Sequence, residues 1–313
     1  MPNGDTPVCV TGSSGFVGKH LCGNLTAARR ELIGLDRLEA PAGATYRPVQ
    51  ADIQHFEQIR HIGAECAGRP MIHLAAEAEV VTPWDLIPTI FSTNLVGAWN
   101  LLTAFRPRLF VFASSSAVYG TASVRRALPR LRASRPLSLY GASKSMGELL
   151  LRDWTKEFGS AAVVLRLGNV VGGGCRGLIP YLVGHAKRYR QADVRAELRG
   201  HGRLLRDYTP VEFVSRIFAA ALDLRWKAGS CSIFNVGTGR GLTNRAVAEM
   251  VQRALAREGY RLECNWDNPV PASEAIEIVP NCESLERRFG MPLPSVEEVE
   301  ASIEQSVLSH LRA

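Results

Sequence analysis

The stretch Pro7-Val8-Cys9-Val10-Thr11-Gly12-Ser13-Ser14-Gly15-Phe16-Val17-Gly18 decides the fold. Its apolar run ends in glycines, after which Val17, Leu21 and Leu25 recur at helical spacing. Strand, glycine turn and helix therefore follow one another without a break. The glycines let the backbone turn tightly and approach a pyrophosphate, to which the helix N-terminus offers N–H groups and positive dipole. The spacing is GxxGxxG, and by itself it fits a purely structural turn as well. Asp36 adds context, because it lies 18 residues beyond Gly18 at the end of a second strand, Glu31-Leu32-Ile33-Gly34-Leu35-Asp36. A carboxylate there accepts both ribose hydroxyls of NAD and repels the 2′-phosphate of NADP. Arg37 follows directly and softens that preference; a surface-turn role for Asp36 is the competing reading.

Working outward, strand and helix signals alternate. Val49 to Asp52, Met71 to Ala76, Leu109 to Ser114 and Ala161 to Leu167 read as strands, and Leu86 to Phe105 and Ser143 to Phe158 as helices. Apolar strands separated by helices indicate parallel strands covered on both faces, joined by right-handed crossovers. After Gly172-Gly173-Gly174 the rhythm breaks. Residues 176–209 mix an apolar helix with a basic, glycine-punctuated stretch, Ser232 to Val236 is one more strand, and the remainder from Leu242 reads as helical with proline-rich loops. The expected fold is α/β, a Rossmann-type doubly wound parallel sheet with a smaller C-terminal α+β substrate-binding cap. The expected domains are 1–172 plus about 211–240, and about 173–210 plus 241–313.

At 313 residues, 46% hydrophobic and 21% charged, the chain is long enough to bury a large core without disulfide or metal staples. No run approaches a membrane span, and Met1-Pro2-Asn3-Gly4-Asp5 lacks the features of a signal peptide. The net charge of +7 fits an anionic partner and general solubility alike. Seven cysteines, Cys9, Cys22, Cys66, Cys175, Cys231, Cys264 and Cys282, include no CxxC pair. They read as free thiols in a reducing cytosol, with no metal site.

Tyr140-Gly141-Ala142-Ser143-Lys144 opens a helix, with Tyr140 and Lys144 at i and i+4 on one face. A phenol titrating near 10 serves as a base at neutral pH only if a cation stabilises its phenolate. A lysine one turn away, together with the nicotinamide charge, supplies that cation. Ser114-Ser115-Ser116 ends a strand at the carboxyl edge, where open α/β sheets bind ligands. A serine hydroxyl there orients a substrate oxygen toward the tyrosine.

These residues carry a resemblance. The chain resembles the extended short-chain dehydrogenases/reductases, in the NAD-dependent epimerase/dehydratase family that acts on nucleotide sugars. The similar segments cover nearly the whole chain: Thr11 to Gly18, Asp52-Ile53, His73-Leu74-Ala75-Ala76, Asn94 to Leu102, Ser114 to Gly120, Tyr140 to Lys144, Leu165 to Asn169, Arg206 to Val211 and Phe234 to Gly239. The resemblance implies NAD as cofactor. Gly12, Ser14, Gly15, Phe16, Val17 and Gly18 would cradle its pyrophosphate, and Asp36 with Arg37 would lie at the adenosine ribose. Asp52 and Ile53 would meet the adenine, and Leu74, Ala75 and Ala76 the nicotinamide side. Asn94 would support the sheet edge near the cofactor. Ser115, Tyr140 and Lys144 would be catalytic, with Tyr140 and Lys144 also touching the cofactor. Ser115, Ser116, Asn169 and Arg206 would contact a nucleotide-diphosphate sugar. The helix bearing Trp99, Leu101 and Leu102 resembles the family's dimer face and would join the helix from Ser143 in an intersubunit four-helix bundle.

Departures from the family pattern narrow the chemistry. Dehydratases place Asp-Glu just after the catalytic Ser/Thr, where this chain has Ser116 and Ala117. Without an acid to protonate a leaving hydroxyl, 4,6-dehydration is disfavoured, and Ala117 also counts against decarboxylation. What remains is C4 epimerisation; a dehydratase and a one-way 4-keto-sugar reductase stay as alternatives. A non-catalytic NAD- or nucleic-acid-binding member of the fold is the alternative of another class, although no nucleic-acid or membrane partner is expected. Asn268-Pro269-Val270-Pro271-Ala272-Ser273-Glu274 lacks the family's second phosphate-binding arginine. Arg125, Arg126, Arg130, Arg132 and Arg135 form an acid-free stretch that either clamps an anion or is a solvated loop. Cys175 reads as a packing residue or a substrate-side thiol, His73 as a packed histidine, and Glu77 and Glu79 as loop carboxylates near the sugar.

Overall fold

A computed structural model describes residues 7–78, 83–120, 136–189, 195–270 and 274–313. The arginine stretch 125–135 and Glu79 lie outside them. Two compact units are present. Within the described residues, the first takes in residues up to Gly120, those from 136 to Leu167, and Val214–Asn235. The second comprises Gly168–Phe213 and Val236–Ala313.

The first unit is built on a seven-stranded sheet. Its strands are β1 (Val8–Thr11), β2 (Leu32–Asp36), β3 (Arg47–Gln50), β4 (Met71–His73), β5 (Leu109–Ser115), β6 (Ala161–Leu167) and a seventh, Ser230–Val236. Across the sheet the order is Ser230–Val236, β6, β5, β4, β1, β2, β3. The pairs from β1 to β6 are parallel. The order reverses at β1, between β2 and β4, and ligands of doubly wound sheets bind at that switch point. Helices α1 (Phe16–Ala27), α2 (Phe56–Glu65), α3 (Ile87–Phe91), α4 (Gly97–Phe105) and α5 (Leu139–Phe158) belong to this unit. Phe105, Phe110, Phe112, Leu101, Leu151 and Trp154 share one buried core with Ile33 and Met71. Among the described residues, no helix is long and apolar enough to cross a membrane.

Local hydrogen bonds explain where elements differ from the sequence reading. The third strand stops at Gln50 rather than Asp52, because the Asp52 carboxylate accepts the Gln54 N–H at 2.9 Å and turns the chain. The fourth ends at His73, because the Leu74 and Ala75 N–H groups turn to the Thr11 carbonyl and hydroxyl. The expected single helix from Leu86 to Phe105 contains a π-helical turn, Ser92–Val96, between α3 and α4. Helix α5 begins at Leu139, where the Ser138 hydroxyl accepts the Gly141 N–H at 3.1 Å.

The second unit is mixed rather than helical throughout from Leu242. Its helices are Leu178–Tyr189, Asn244–Arg257, Glu283–Phe289 and Val296–Arg312. Strand Asn169–Val171 pairs in parallel with Tyr208–Pro210, and Ala196–Arg199 with Cys264–Asn268. Leu205–Arg206 lies between Leu242–Thr243 and Glu277–Ile278. These strands of two to five residues carry too little alternation to be read from sequence.

Candidate active site

The phosphate loop follows β1 directly. Gly12 adopts φ +73°, and a Cβ there would lie 2.6 Å from the Ala75 nitrogen, so only glycine fits. Gly18 presses its backbone against the loop, where a Cβ would sit 1.9 Å from the Gly12 carbonyl oxygen. The Asp36 carboxylate accepts the Ser14 N–H at 2.9 Å and the Leu38 N–H at 3.0 Å, tying the end of β2 to the loop. Arg37 pairs with Glu77 at 3.5 Å, which accounts for the Glu77 carboxylate.

Helix α1 starts at Phe16 with no side-chain cap and no acid in its first turn. Its leading N–H groups, on Phe16 and Val17, therefore meet neither a competing carboxylate nor a hydroxyl cap. This donor set fits a pyrophosphate, and Asp36 fits a ribose. Asp52 caps its own turn through Gln54, while Ile53 is buried where a Cβ on Gly97 would strike it at 2.7 Å. Leu74, Ala75 and Ala76 are half-buried beyond β4.

Asn94 sits in the π-helical turn. It accepts the Glu77 N–H at 2.8 Å and donates to the Glu77 carbonyl and the Ser143 hydroxyl, both at 2.9 Å. It thereby fastens the chain after β4 to the start of α5. His73 is fully buried; its Nδ1 lies 2.7 Å from the Thr11 hydroxyl, and its ring stacks on Phe112. Burial pushes its imidazole down to about 3, which keeps it neutral and structural.

Ser115, Tyr140 and Lys144 come together. The Ser115 hydroxyl caps the turn after β5 by accepting the Ala117 N–H at 3.1 Å. It also lies near enough to the Tyr140 phenol to influence it. Both Tyr140 and Lys144 are buried. Burial raises the phenol above its ordinary range, and the nearby Ser115 hydroxyl pulls it partly back. Lys144 does not yet act on it: its Nζ donates to the Ala113 carbonyl at 2.9 Å and lies 4.9 Å from the Phe112 ring centre. Burial pushes the ammonium down to about 7, against the pull of Glu148. Ser116 is buried in the short turn that follows.

On the second unit, Asn169 is exposed on its strand, in register with Tyr208 on the paired one. The Arg206 guanidinium donates to Glu274 at 3.0 Å and to the carbonyls of Leu205, Ala275 and Ile276. Four of its five N–H groups are thus engaged, leaving Nε for a further anion. Cys175 is buried, with its Sγ 2.9 Å from the Ser306 hydroxyl, and burial raises its thiol, so it is a packing residue. Asp207 collects the Thr238 and Gly239 N–H groups and is pushed up to about 6 by burial.

One constellation escaped the sequence reading. Glu148 and Arg166 form a fully buried ion pair, and the Ser114 hydroxyl donates to the same carboxylate at 2.5 Å. An arginine near the end of Ala161-Ala162-Val163-Val164-Leu165-Arg166-Leu167 was the available signal, since a charge inside a buried strand needs a partner.

Residues 8–237 match the model of the NAD dependent epimerase/dehydratase family. The chain belongs to that family. It is 28% identical over 277 residues to a putative UDP-glucose 4-epimerase of Methanocaldococcus jannaschii, covering 84% of this chain and 86% of that one. It is 26% identical over 295 residues to UDP-glucuronate 4-epimerase 4 of Arabidopsis thaliana, covering 88% of this chain and 63% of that longer relative. The structure of Thermus thermophilus UDP-glucose 4-epimerase in complex with NAD superposes with a TM-score of 0.84 at 27% identity, covering 98% of this chain and all of that one.

Proposed function

We propose that the chain is an NAD-dependent nucleotide-sugar 4-epimerase. The observation that carries this reading is that the helix bearing Tyr140 and Lys144 is fastened to the strand ending in Ser115, through the Lys144 Nζ bond to the Ala113 carbonyl. The relatives' names favour a UDP-sugar as substrate. Bound NAD, held by Gly12 to Gly18, Asp36, Arg37 and the turn at Asp52-Ile53, supplies a hydride acceptor and donor for the sugar C4. Tyr140 removes the proton from the sugar 4-hydroxyl while Ser115 hydrogen-bonds the same oxygen. The C4 carbon becomes a ketone, the sugar turns over, and Tyr140 returns the proton as the opposite face is reduced. Deprotonation of a buried phenol needs a cation, so Lys144 must turn from the Ala113 carbonyl toward Tyr140 and the cofactor ribose. Leu74, Ala75 and Ala76 line the nicotinamide side, and Asn94 holds that loop in place. Asn169, Arg206 and Ser116 are the proposed substrate contacts, with Arg206 using Nε for the diphosphate.

The absence of carboxylates at Ser116 and Ala117 argues against dehydration. Val96 and Trp99, with Met146 and Leu149 on α5, expose apolar side chains on two helices. That pattern supports a homodimer joined by a four-helix bundle. The free thiols support a reducing, cytosolic setting. Mass spectrometry of UDP-sugar reactions tests the activity. A mass-neutral change that Tyr140→Phe slows by ~10²–10⁴-fold, with NAD retained, is the expected result. Loss of water, net NAD(P)H consumption, or full activity in Tyr140→Phe overturns it.

A further inference from the structure

The Glu148–Arg166 pair is placed where stability alone gives no reason for it. Neither side chain is exposed. The pair is bidentate, with Arg166 Nε on Glu148 Oε1 at 2.9 Å and Nη2 on Oε2 at 2.6 Å. The Arg166 guanidinium lies 4.8 Å from the Tyr119 ring centre, and the Tyr119 hydroxyl donates to Asn235 at 2.6 Å. One network thus joins β5, α5, β6 and the strand Ser230–Val236. Replacing buried ion pairs of this kind by apolar groups of similar volume is often neutral or stabilising, so their upkeep points to another role. Here the carboxylate stands at i+4 from Lys144, one helical turn along α5. Ser114, which shares that carboxylate, is the neighbour of Ser115.

We propose that Glu148 is a positioning residue for the reaction, a locked buried carboxylate that keeps Lys144 charged. The inference rests on the reading of Tyr140 and Lys144 as the catalytic pair. The groups around Lys144 leave little else to do so. On its own helix it has Tyr140 and Glu148. From β4 comes His73, which burial keeps neutral; from β5, the Phe112 ring and the Ala113 carbonyl; and from β6, Arg166, whose charge opposes its own. Glu148 favours the ammonium against the burial that disfavours it. Arg166 and Ser114 hold the carboxylate in place, so its position does not drift when the site loads.

The test uses NAD-loaded enzyme with a UDP-sugar and two variants, Glu148→Gln and the double Glu148→Gln/Arg166→Met, each measured for kcat across pH and for bound NAD. Glu148→Gln leaves Arg166 uncompensated and is prone to misfold. The double variant removes both charges and keeps a measurable enzyme. The expected result is an alkaline limb of the kcat profile displaced downward by about one pH unit in Glu148→Gln, the low end for loss of one neighbouring charge, and by less in the double variant, which also removes the opposing Arg166 charge, with KM little changed in both. A purely structural pair would lower the yield of NAD-loaded protein and leave that limb where it was. A wild-type limb in the double variant overturns the inference while Tyr140→Phe stays inactive. If Tyr140→Phe is active, the underlying reading fails instead.

Discussion

Lys144 sits in the core at a cost, and that cost depends on pH. Its ammonium is 2% exposed and is pushed by burial from an ordinary 10.5 down to about 7. At about 1.4 kcal/mol per pH unit this amounts to roughly 5 kcal/mol against the folded, ligand-free protein once the lysine is protonated. Between pH 7 and 10.5 the folded state holds fewer protons than the unfolded state at this position. Its contribution to stability therefore rises with pH across that window, and below pH 7 the whole penalty applies. Lys144→Met keeps the length of the side chain and removes the titration. It also leaves the Ala113 carbonyl without its 2.9 Å donor, which takes back about 1–3 kcal/mol. The variant should be more stable than the parent by about 2–4 kcal/mol at pH 7, and the gain should vanish by about pH 10. Guanidinium unfolding of both proteins at pH 7, 8, 9 and 10 gives the difference directly, because every other titrating group is shared. Parallel stability curves would refute the argument, and a less stable variant at pH 7 would show that the ammonium is not penalised. The same variant should be inactive, a stabilising change bought at the expense of the site.

Three further outcomes follow from the geometry. Gly18→Ala would place a Cβ 1.9 Å from the Gly12 carbonyl oxygen, so the loop must shift; NAD should be lost from the purified protein, with about 1–3 kcal/mol of destabilisation by thermal melting. Asp36→Asn removes the charge that orients the Ser14 and Leu38 N–H groups; calorimetric titration should show NAD bound about 10–100-fold more weakly, the range for one charge-assisted hydrogen bond. Trp99→Glu with Leu149→Glu puts charges on the exposed apolar faces of α4 and α5; sedimentation velocity should show a monomer where the parent sediments as a dimer.

Much of this was legible before any coordinates. The sheet could be read because β1, β5 and β6 are buried on both faces, and such strands are written as largely apolar runs, even though Arg166 interrupts β6. The phosphate loop could be read because glycine is required at Gly12 and Gly18 for reasons local to the chain. The pairing of Tyr140 with Lys144 follows from helical spacing alone. What could not be read is whatever depends on a partner far away in sequence. Asn94 is an ordinary residue on an apolar helix until Glu77 and Ser143 are brought to it, 17 and 49 residues away. The π-helical turn that carries it has no compositional mark.

The electrostatics at Lys144 lie on the same side of that divide. Spacing makes a lysine one turn from a tyrosine look like a ready cation, yet the fold encloses both and burial works against each of their charged forms. The sequence order shows which charges are near; only packing shows what water they have lost. Burial favours the neutral form of the phenol and of the amine alike, and the fold sets the Lys144 Nζ on the Ala113 carbonyl. On the proposed mechanism, the cation that Tyr140 needs is then sustained by the carboxylate at i+4, which the fold keeps in place beside Arg166.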